Sequence, residues 1–370
     1  MHFFSTQEQL SRALAMTSRI ISPQNNLAVA AGIQFDALAN HVRLTATDLF
    51  TVITTEIPAD VDRQGTSVLP AALINDLMHR VPTAMVEVDA DESSKTTIRY
   101  GKNRTTIHGY GHERLPEFPN MEGERHTVMV PAAALSSLSR QLLYACAKDE
   151  TRPVLRGVYV RLQSGRMIFA ATDGSRLSHT WIPIPFERDT AFEAILPAKF
   201  LAEAARLAGN LQPTTFELTN QLVKVTTDES EITSRVLDGQ YPDYSRVIPK
   251  EYVISGRIRI AELRSAIERV NIIASKERAA SIRVAHRSDH LELSATSQEY
   301  GNTFEYVDWN GQGPEMELLF NPHYLLEALR SFDGDEIVLE FSGVQSPARM
   351  RELLDTSNFS HIVLPLRQLV

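Results

Sequence analysis

The sequence predicts an α+β chain built from three tandem copies of one domain. Two repeated phrases and one repeated break carry that expectation. The first phrase is Ala170-Ala171-Thr172-Asp173-Gly174-Ser175-Arg176-Leu177, which follows the apolar run Met167-Ile168-Phe169. It recurs as Leu44-Thr45-Ala46-Thr47-Asp48-Leu49 and as Leu293-Ser294-Ala295-Thr296-Ser297. Ala46, Ala171 and Ala295 lie 125 and 124 residues apart, so the repeating unit is a whole domain and not a solenoid repeat. The second phrase, Val68-Leu69-Pro70-Ala71-Ala72-Leu73, matches Ile195-Leu196-Pro197-Ala198-Lys199-Phe200 and Leu319-Phe320-Asn321-Pro322-His323-Tyr324. The break is Leu115-Pro116-Glu117-Phe118-Pro119, which matches Tyr241-Pro242-Asp243-Tyr244. Proline-rich breaks after alternating strands mark junctions. The copies are therefore expected at 1–125, 126–249 and 250–370.

Each copy opens with a strand and an amphipathic helix. Leu10, Leu14, Thr17 and Ile21 recur at helical spacing in copy one, with Arg12 and Arg19 seven apart on another face. In copy two the stripe is Leu135, Leu138, Leu142 and Ala145, with Cys146 on the same helix. Ser137, Arg140, Gln141, Tyr144 and Lys148 lie mostly opposite. In copy three it is Leu263, Ala266, Ile267 and Val270, with Arg264 and Arg269 turned away. A proline early in the second helix of each copy costs little, because the N–H it lacks has no partner there. Those helices should run to about Val81, Leu207 and Phe332. Period-two strands are expected over 155–162, 216–227 and 336–341. The total is six helices and much antiparallel sheet.

Composition is that of an ordinary globular chain, with 43% hydrophobic and 22% charged residues. No run approaches the roughly 18 apolar residues of a membrane span. No secretion signal is visible at Met1-His2-Phe3-Phe4-Ser5-Thr6, and Cys146 is the one cysteine of the sequence, which together fit a cytoplasmic protein. The net charge of −9 argues against a protein that coats nucleic acid over its whole surface, and leaves room for a basic face on an acidic body.

A search for catalytic chemistry finds little. No phosphate-binding Gly-x-x-x-x-Gly-Lys loop and no Gly-x-Ser-x-Gly elbow is present. Ser175 has no base nearby in sequence and reads as a turn serine. His108 and His112 sit on a glycine-broken strand end, where an i, i+4 pair does not chelate. Asp48 and Asp173 recur between copies and read as turn or cap residues. A metal-dependent hydrolase built on either is the less favoured alternative. Catalytic residues, metal and cofactor are all expected to be none.

Basic residues recur on all six helices. Arg12, Arg19, Arg80, Arg140, Lys148, Arg152, Lys199, Arg206, Arg264, Arg269 and Arg330 form the candidate duplex-facing set, and His79, Lys276, Arg278 and His323 add to it. With no aromatic ladder and no recognition helix, such a surface would hold phosphates without reading sequence.

Three stretches then point to one family. Ala171-Thr172-Asp173-Gly174-Ser175-Arg176-Leu177, Asp238-Gly239-Gln240-Tyr241-Pro242-Asp243-Tyr244-Ser245-Arg246-Val247-Ile248-Pro249 and Val363-Leu364-Pro365-Leu366-Arg367 closely resemble the bacterial β sliding clamps. These are the processivity subunits of replicative DNA polymerases, and the likeness spans the chain in order. The resemblance implies three clamp domains with helices on one face and antiparallel sheets on the other. It also implies a head-to-tail homodimeric ring around duplex DNA, located in the cytoplasm at the nucleoid. The implied partners are the polymerase catalytic subunit, the clamp loader, translesion polymerases and mismatch-repair proteins, all bound through short linear motifs. The implied motif pocket is Leu155, Thr172, Gly174, Ser175, Arg176, Leu177, Pro242, Arg246, Val247, Val344, Ser346, Val363, Leu364, Pro365, Leu366 and Arg367. Leu155, Leu177, Val247 and Leu364 would floor it, and Arg176 and Arg246 would supply rim donors. The chain departs from the family in three places. The loop Ile21 to Ala28 lacks a basic residue, Pro153-Val154 replaces an aromatic pair, and Gln368-Leu369-Val370 lengthens the tail. A specialised paralogue, such as an inhibitor-resistant copy or a motif-binding scaffold, is the alternative.

Overall fold

The computed structural model describes residues 1–21, 27–82, 84–185, 191–209, 213–353 and 358–367. The tail at 368–370 and most of the Ile21 to Ala28 loop fall outside them. Among the described residues there are six α-helices: α1 Gln7–Thr17, α2 Ala71–Arg80, α3 Ala132–Leu142, α4 Ala198–Ala208, α5 Ile260–Ala274 and α6 Pro322–Leu329. Thr6 caps α1, its Oγ1 accepting from Gln9 N at 3.2 Å, and Asn321 caps α6 through His323 N at 2.9 Å. Of the three helix prolines only Pro322 is the first helical residue. Pro70 and Pro197 each end the preceding strand.

Two first helices are shorter than their periodicity suggests. A 3-10 turn, Ser18–Ile20, follows α1, and another, Leu143–Ala145, follows α3. The tighter turn advances the phase, so Ile20 is fully buried in place of Ile21. Arg19, Tyr144, Cys146 and Lys148 are accordingly off the helices on which periodicity placed them. The expected 155–162 strand begins at Gly157, because Pro153–Arg156 forms a 3-10 turn. The expected 216–227 strand is two strands, Thr214–Leu218 and Leu222–Thr226. Glu336–Phe341 is a strand as expected.

The chain forms two compact units. The first comprises Met1–Leu135 and Lys199–Val236, the second Ser136–Ala198 and Leu237–Val370. The middle copy is thus shared between them, and the reason is strand pairing. In the first unit, Ser230–Arg235 of copy two pairs antiparallel with Thr51–Pro58 of copy one, inside an eight-stranded sheet. Thr51 and Ser234 hydroxyls meet across that seam at 2.9 Å, and those of Thr55 and Ser230 at 2.6 Å. A five-stranded sheet completes this unit, and α1 packs on α2 and on the strands Thr51–Pro58 and His41–Thr47. In the second unit, Ser360–Val363 of copy three pairs with Arg176–Pro183 of copy two in another eight-stranded sheet. There α5 packs on α6 and on His290–Ser297 and Gly301–Asp308. The core of this unit holds Ile258, Leu263, Ile267, Val270, Leu293 and Phe341, each no more than 3% exposed.

The repeated phrase ends a strand each time, at Thr47, Thr172 and Ser297. In the first two copies it folds into the same turn. Thr47 Oγ1 donates to Thr51 O and accepts from Leu49 N; Thr172 Oγ1 donates to Arg176 O and accepts from Gly174 N. Asp48 Oδ1 accepts from the Phe50 and Thr51 amides, as Asp173 Oδ1 does from those of Ser175 and Arg176. The residue between is left-handed in both, Gly174 at φ +93° and Leu49 at φ +76°.

Candidate functional site

In the second unit the Asp173 turn, the segment after Tyr241 and the last strand converge on an apolar cavity of about 190 Å³. Leu155 and Leu177, each 2% exposed, and Ile362, 1% exposed, form its floor. Behind them Tyr159 and Tyr241 stack with centroids 5.3 Å apart. The Tyr241 hydroxyl accepts from Thr172 N at 3.1 Å and donates to Ala170 O at 3.4 Å, which ties the junction segment to the strand end. Burial pushes the Tyr241 hydroxyl pKa up, so it stays a neutral donor. Thr172, Gly174, Pro242, Val247 and Leu364 complete the walls with Asp243, Tyr244 and Arg152.

Of the sixteen residues expected here, Leu155, Thr172, Gly174, Arg176, Leu177, Pro242, Val247 and Leu364 line the cavity. Val363 does not. Successive residues of a strand face opposite sides, so Ile362 faces the cavity and Val363 joins the core of copy three. Ser175 lines a neighbouring polar cavity of about 750 Å³ with Lys148, His323 and Tyr324. Val344 is exposed in the loop after Glu336–Phe341, and Ser346 N donates to Gly343 O there. Leu366 N donates to Leu319 O at 2.7 Å, and Leu366 and Arg367 are exposed outside the cavity, with Pro365 beside them. Arg246 does not line the cavity; it is 84% exposed and bonds Oδ2 of Asp243, which does, at 2.8 Å. Hydrogen bonds from Ser245 and Arg246 hold the Asp243 carboxyl below the usual range.

Arg176 is not a rim donor. It is 5% exposed, and its guanidinium bonds Asp173, Glu327 and the Tyr144 carbonyl. It also lies 4.4 Å from the Tyr324 ring centroid. Each guanidinium nitrogen is already bonded within the protein, so the group is not free to serve as a rim donor. Arg152, expected to face duplex, stands where that rim donor was sought. Its Nη2 donates to Asp173 O at 3.0 Å, and it lines both cavities. A Cβ on Gly174 would meet its Nη1 at 2.8 Å. Asp243, Tyr244 and Ile362 were missed, although the repeat of Tyr241-Pro242-Asp243-Tyr244 and strand alternation before Val363 both pointed at them.

The helix cations are mostly engaged. Arg12 pairs with Glu229, Lys199 with Asp48, Arg206 with Glu203, Arg140 with Asp333 and Arg269 with Glu305. Glu268 sits 4.0 Å from Arg264 and 3.9 Å from Arg330. Among the described residues Arg19, Arg80, Lys148 and Arg152 have no carboxylate within ion-pair distance. The two aspartates are turn acceptors. Among the described residues no group of three His, Cys, Asp or Glu could hold a metal ion. Burial pushes the Cys146 thiol up to about 12, which makes it inert.

Three family descriptions match the chain end to end. They are the DNA polymerase III beta subunit N-terminal domain over residues 1–122, the central domain over 119–243 and the C-terminal domain over 245–367. A beta sliding clamp of Bacillus subtilis is 26% identical over 99% of this chain and 100% of that protein. One from Staphylococcus aureus is 29% identical, covering 99% of each. A crystal structure of the DNA polymerase sliding clamp from Bacillus subtilis superposes with a TM-score of 0.94 at 26% identity, covering 99% of both chains. That of the DNA polymerase III beta subunit from Thermotoga maritima gives 0.91 at 25%.

Proposed function

We infer that this chain, which belongs to the DNA polymerase III beta subunit family, closes head to tail with a second copy into a ring around duplex DNA. It is a sliding clamp: a processivity factor for DNA replication made of three tandem clamp domains, and not a catalyst. The copies divide at about 125 and 250, and copy one of each chain meets copy three of its partner. Inside the ring the cations contact phosphates without reading sequence. Arg19, Arg80 and Lys148 carry most of that contact, because their charge is not already neutralised by a carboxylate. No helix among the described residues is long and apolar enough to cross a membrane, and we place the ring in the cytoplasm at the nucleoid.

The polymerase catalytic subunit, the clamp loader, translesion polymerases and mismatch-repair proteins dock through short motifs that end in an apolar pair. The observation that carries this reading is the cavity over Leu155, Leu177 and Ile362, apolar at its floor and edged by Arg152 and Asp243, the latter paired with the exposed Arg246. Such a site gives affinity through a buried anchor and orientation through a few polar groups. Calorimetry with a glutamine-leucine-x-leucine-phenylalanine peptide tests it. Leu177→Asp should abolish binding, and removal of Leu366 to Val370 should weaken it while the dimer mass is kept. Unchanged affinity in Leu177→Asp would place the motif site elsewhere. For the ring, the protein loaded by its clamp loader should stay on circular DNA and run off linear DNA. Equal retention on both would refute encirclement.

A further inference from the structure

The first unit holds a polar counterpart of the apolar cavity. The shared turn sets Val52 where Leu177 stands, and the repeated proline break sets Phe118 where Tyr244 stands. Thr233 is the cross-strand partner of Val52 as Ile362 is of Leu177. By the turn's spacing of 125 residues Gln34 replaces Tyr159 and Thr45 replaces Ala170. These five substitute residues line a cavity of about 590 Å³ under the strap that runs from Leu115 to Met121. The place that is an apolar floor in the second unit is therefore a hydroxyl- and amide-lined floor in the first.

Its charge is one-sided. Six carboxylates line it against two cations, Arg43 and Lys224, and one of the six, Glu229, is also paired with Arg12 at 2.6 Å. Each cation is already held by one of those carboxylates, Arg43 by Glu56 at 2.8 Å and Lys224 by Glu231 at 2.5 Å. Glu117 and Asp228 remain exposed at the mouth, and Asp36 accepts from Thr66 Oγ1 at 2.7 Å inside. Phe118, Leu115 and Val52 supply an apolar wall on which aliphatic stems can lie.

We propose that this cavity is a second peptide-docking site, which takes an extended protein segment carrying lysine or arginine. The surplus carboxylates select the cationic heads, the wall takes their stems, and the threonines and Gln34 bond the backbone between. Nucleic acid is excluded by the same charge. The proposal is independent of the motif pocket in the other unit.

The test is fluorescence anisotropy of the full-length protein with a labelled Thr-Lys-Leu-Lys-Thr peptide, capped at both ends, and with its Glu-for-Lys counterpart. The lysine peptide should bind saturably and the glutamate peptide should not. Glu117→Gln with Asp228→Asn should weaken it about fivefold to tenfold, two exposed ion contacts together. Glu92→Gln with Glu299→Gln makes the same net-charge change on exposed residues that do not line the cavity, and should weaken it less than twofold. Thr45→Trp, which fills the cavity without altering charge, should abolish it while the glutamine-leucine-x-leucine-phenylalanine peptide still binds. Equal loss in both charge variants, competition by duplex DNA, or equal binding of the glutamate peptide would overturn the proposal.

Discussion

Replacing Arg176 with methionine should cost stability and not simply a contact at the pocket edge. The side chain is 3% exposed, and its two carboxylate partners are 17% and 32% exposed. Removing one member of a buried ion pair typically costs about 3–5 kcal/mol, because the remaining charge is stranded. Two features of the structure put this case at the lower end. Asp173 keeps its bonds from the Ser175 and Arg176 amides, and Glu327 is open enough to recover some hydration. The expected loss is therefore about 3 kcal/mol, roughly a hundredfold in the folding equilibrium. Both tryptophans, Trp181 and Trp309, lie in the second unit, so their fluorescence during urea unfolding reports that unit, while circular dichroism reports both. Arg246→Ala is the control. Its ion pair with Asp243 is exposed, and it should cost less than about 0.5 kcal/mol. A loss below about 1 kcal/mol for Arg176→Met, or one no larger than for Arg246→Ala, would refute the structural role given to Arg176.

Gly174→Ala should destabilise by about 1–2 kcal/mol, because φ +93° is hostile to a Cβ, and it should displace Arg152, read as weaker motif-peptide binding by calorimetry. Leu49→Gly should do the reverse at the twin turn and stabilise the fold by up to about 1 kcal/mol net of the unfolded-state entropy that glycine adds, read as a higher thermal midpoint. His361 is fully buried, and burial lowers its pKa from 6.5 to about 3. The unfolded chain binds that proton first, so its contribution to stability is full above about pH 6.5. It falls by about 1.4 kcal/mol per pH unit on acidification toward 3. His361→Gln should flatten the pH dependence of the urea midpoint between about pH 6 and 4; an unchanged slope would show that other groups set it.

Local order was legible because neighbours at fixed spacing create it. The helical stripes at Leu135, Leu138 and Leu142 and at Leu263, Ile267 and Val270 were readable, since a 3.6-residue period depends on nothing distant. The turn at Asp173 was readable for the same reason: Thr172 and Asp173 bond backbone within four residues. Where a 3-10 turn slipped the phase, as at Ile20, the pattern misled by one position; after Leu142 such a turn only shortened the helix, and Ala145 is buried as its spacing predicts. The repeat of Tyr241-Pro242 marked the junction that edges the apolar cavity.

The sequence by itself determined three copies of one unit, six helices, the strand-ending turns, and a likeness strong enough to name the family. Only the tertiary structure decided how the copies share their sheets, for Ser230–Arg235 and Thr51–Pro58 lie far apart in the chain and pairing leaves no local trace. It likewise decided that Ile362 and not Val363 faces the cavity, since register fixes parity. It turned Arg176 inward and left Arg152 at the edge, because Glu327 and Tyr324, 151 and 148 residues away in sequence, meet the one and not the other. It also neutralised most of the helix cations with carboxylates from other elements. Charge can be counted along a chain, but whether a charge is free depends on what folding brings within about 4 Å of it.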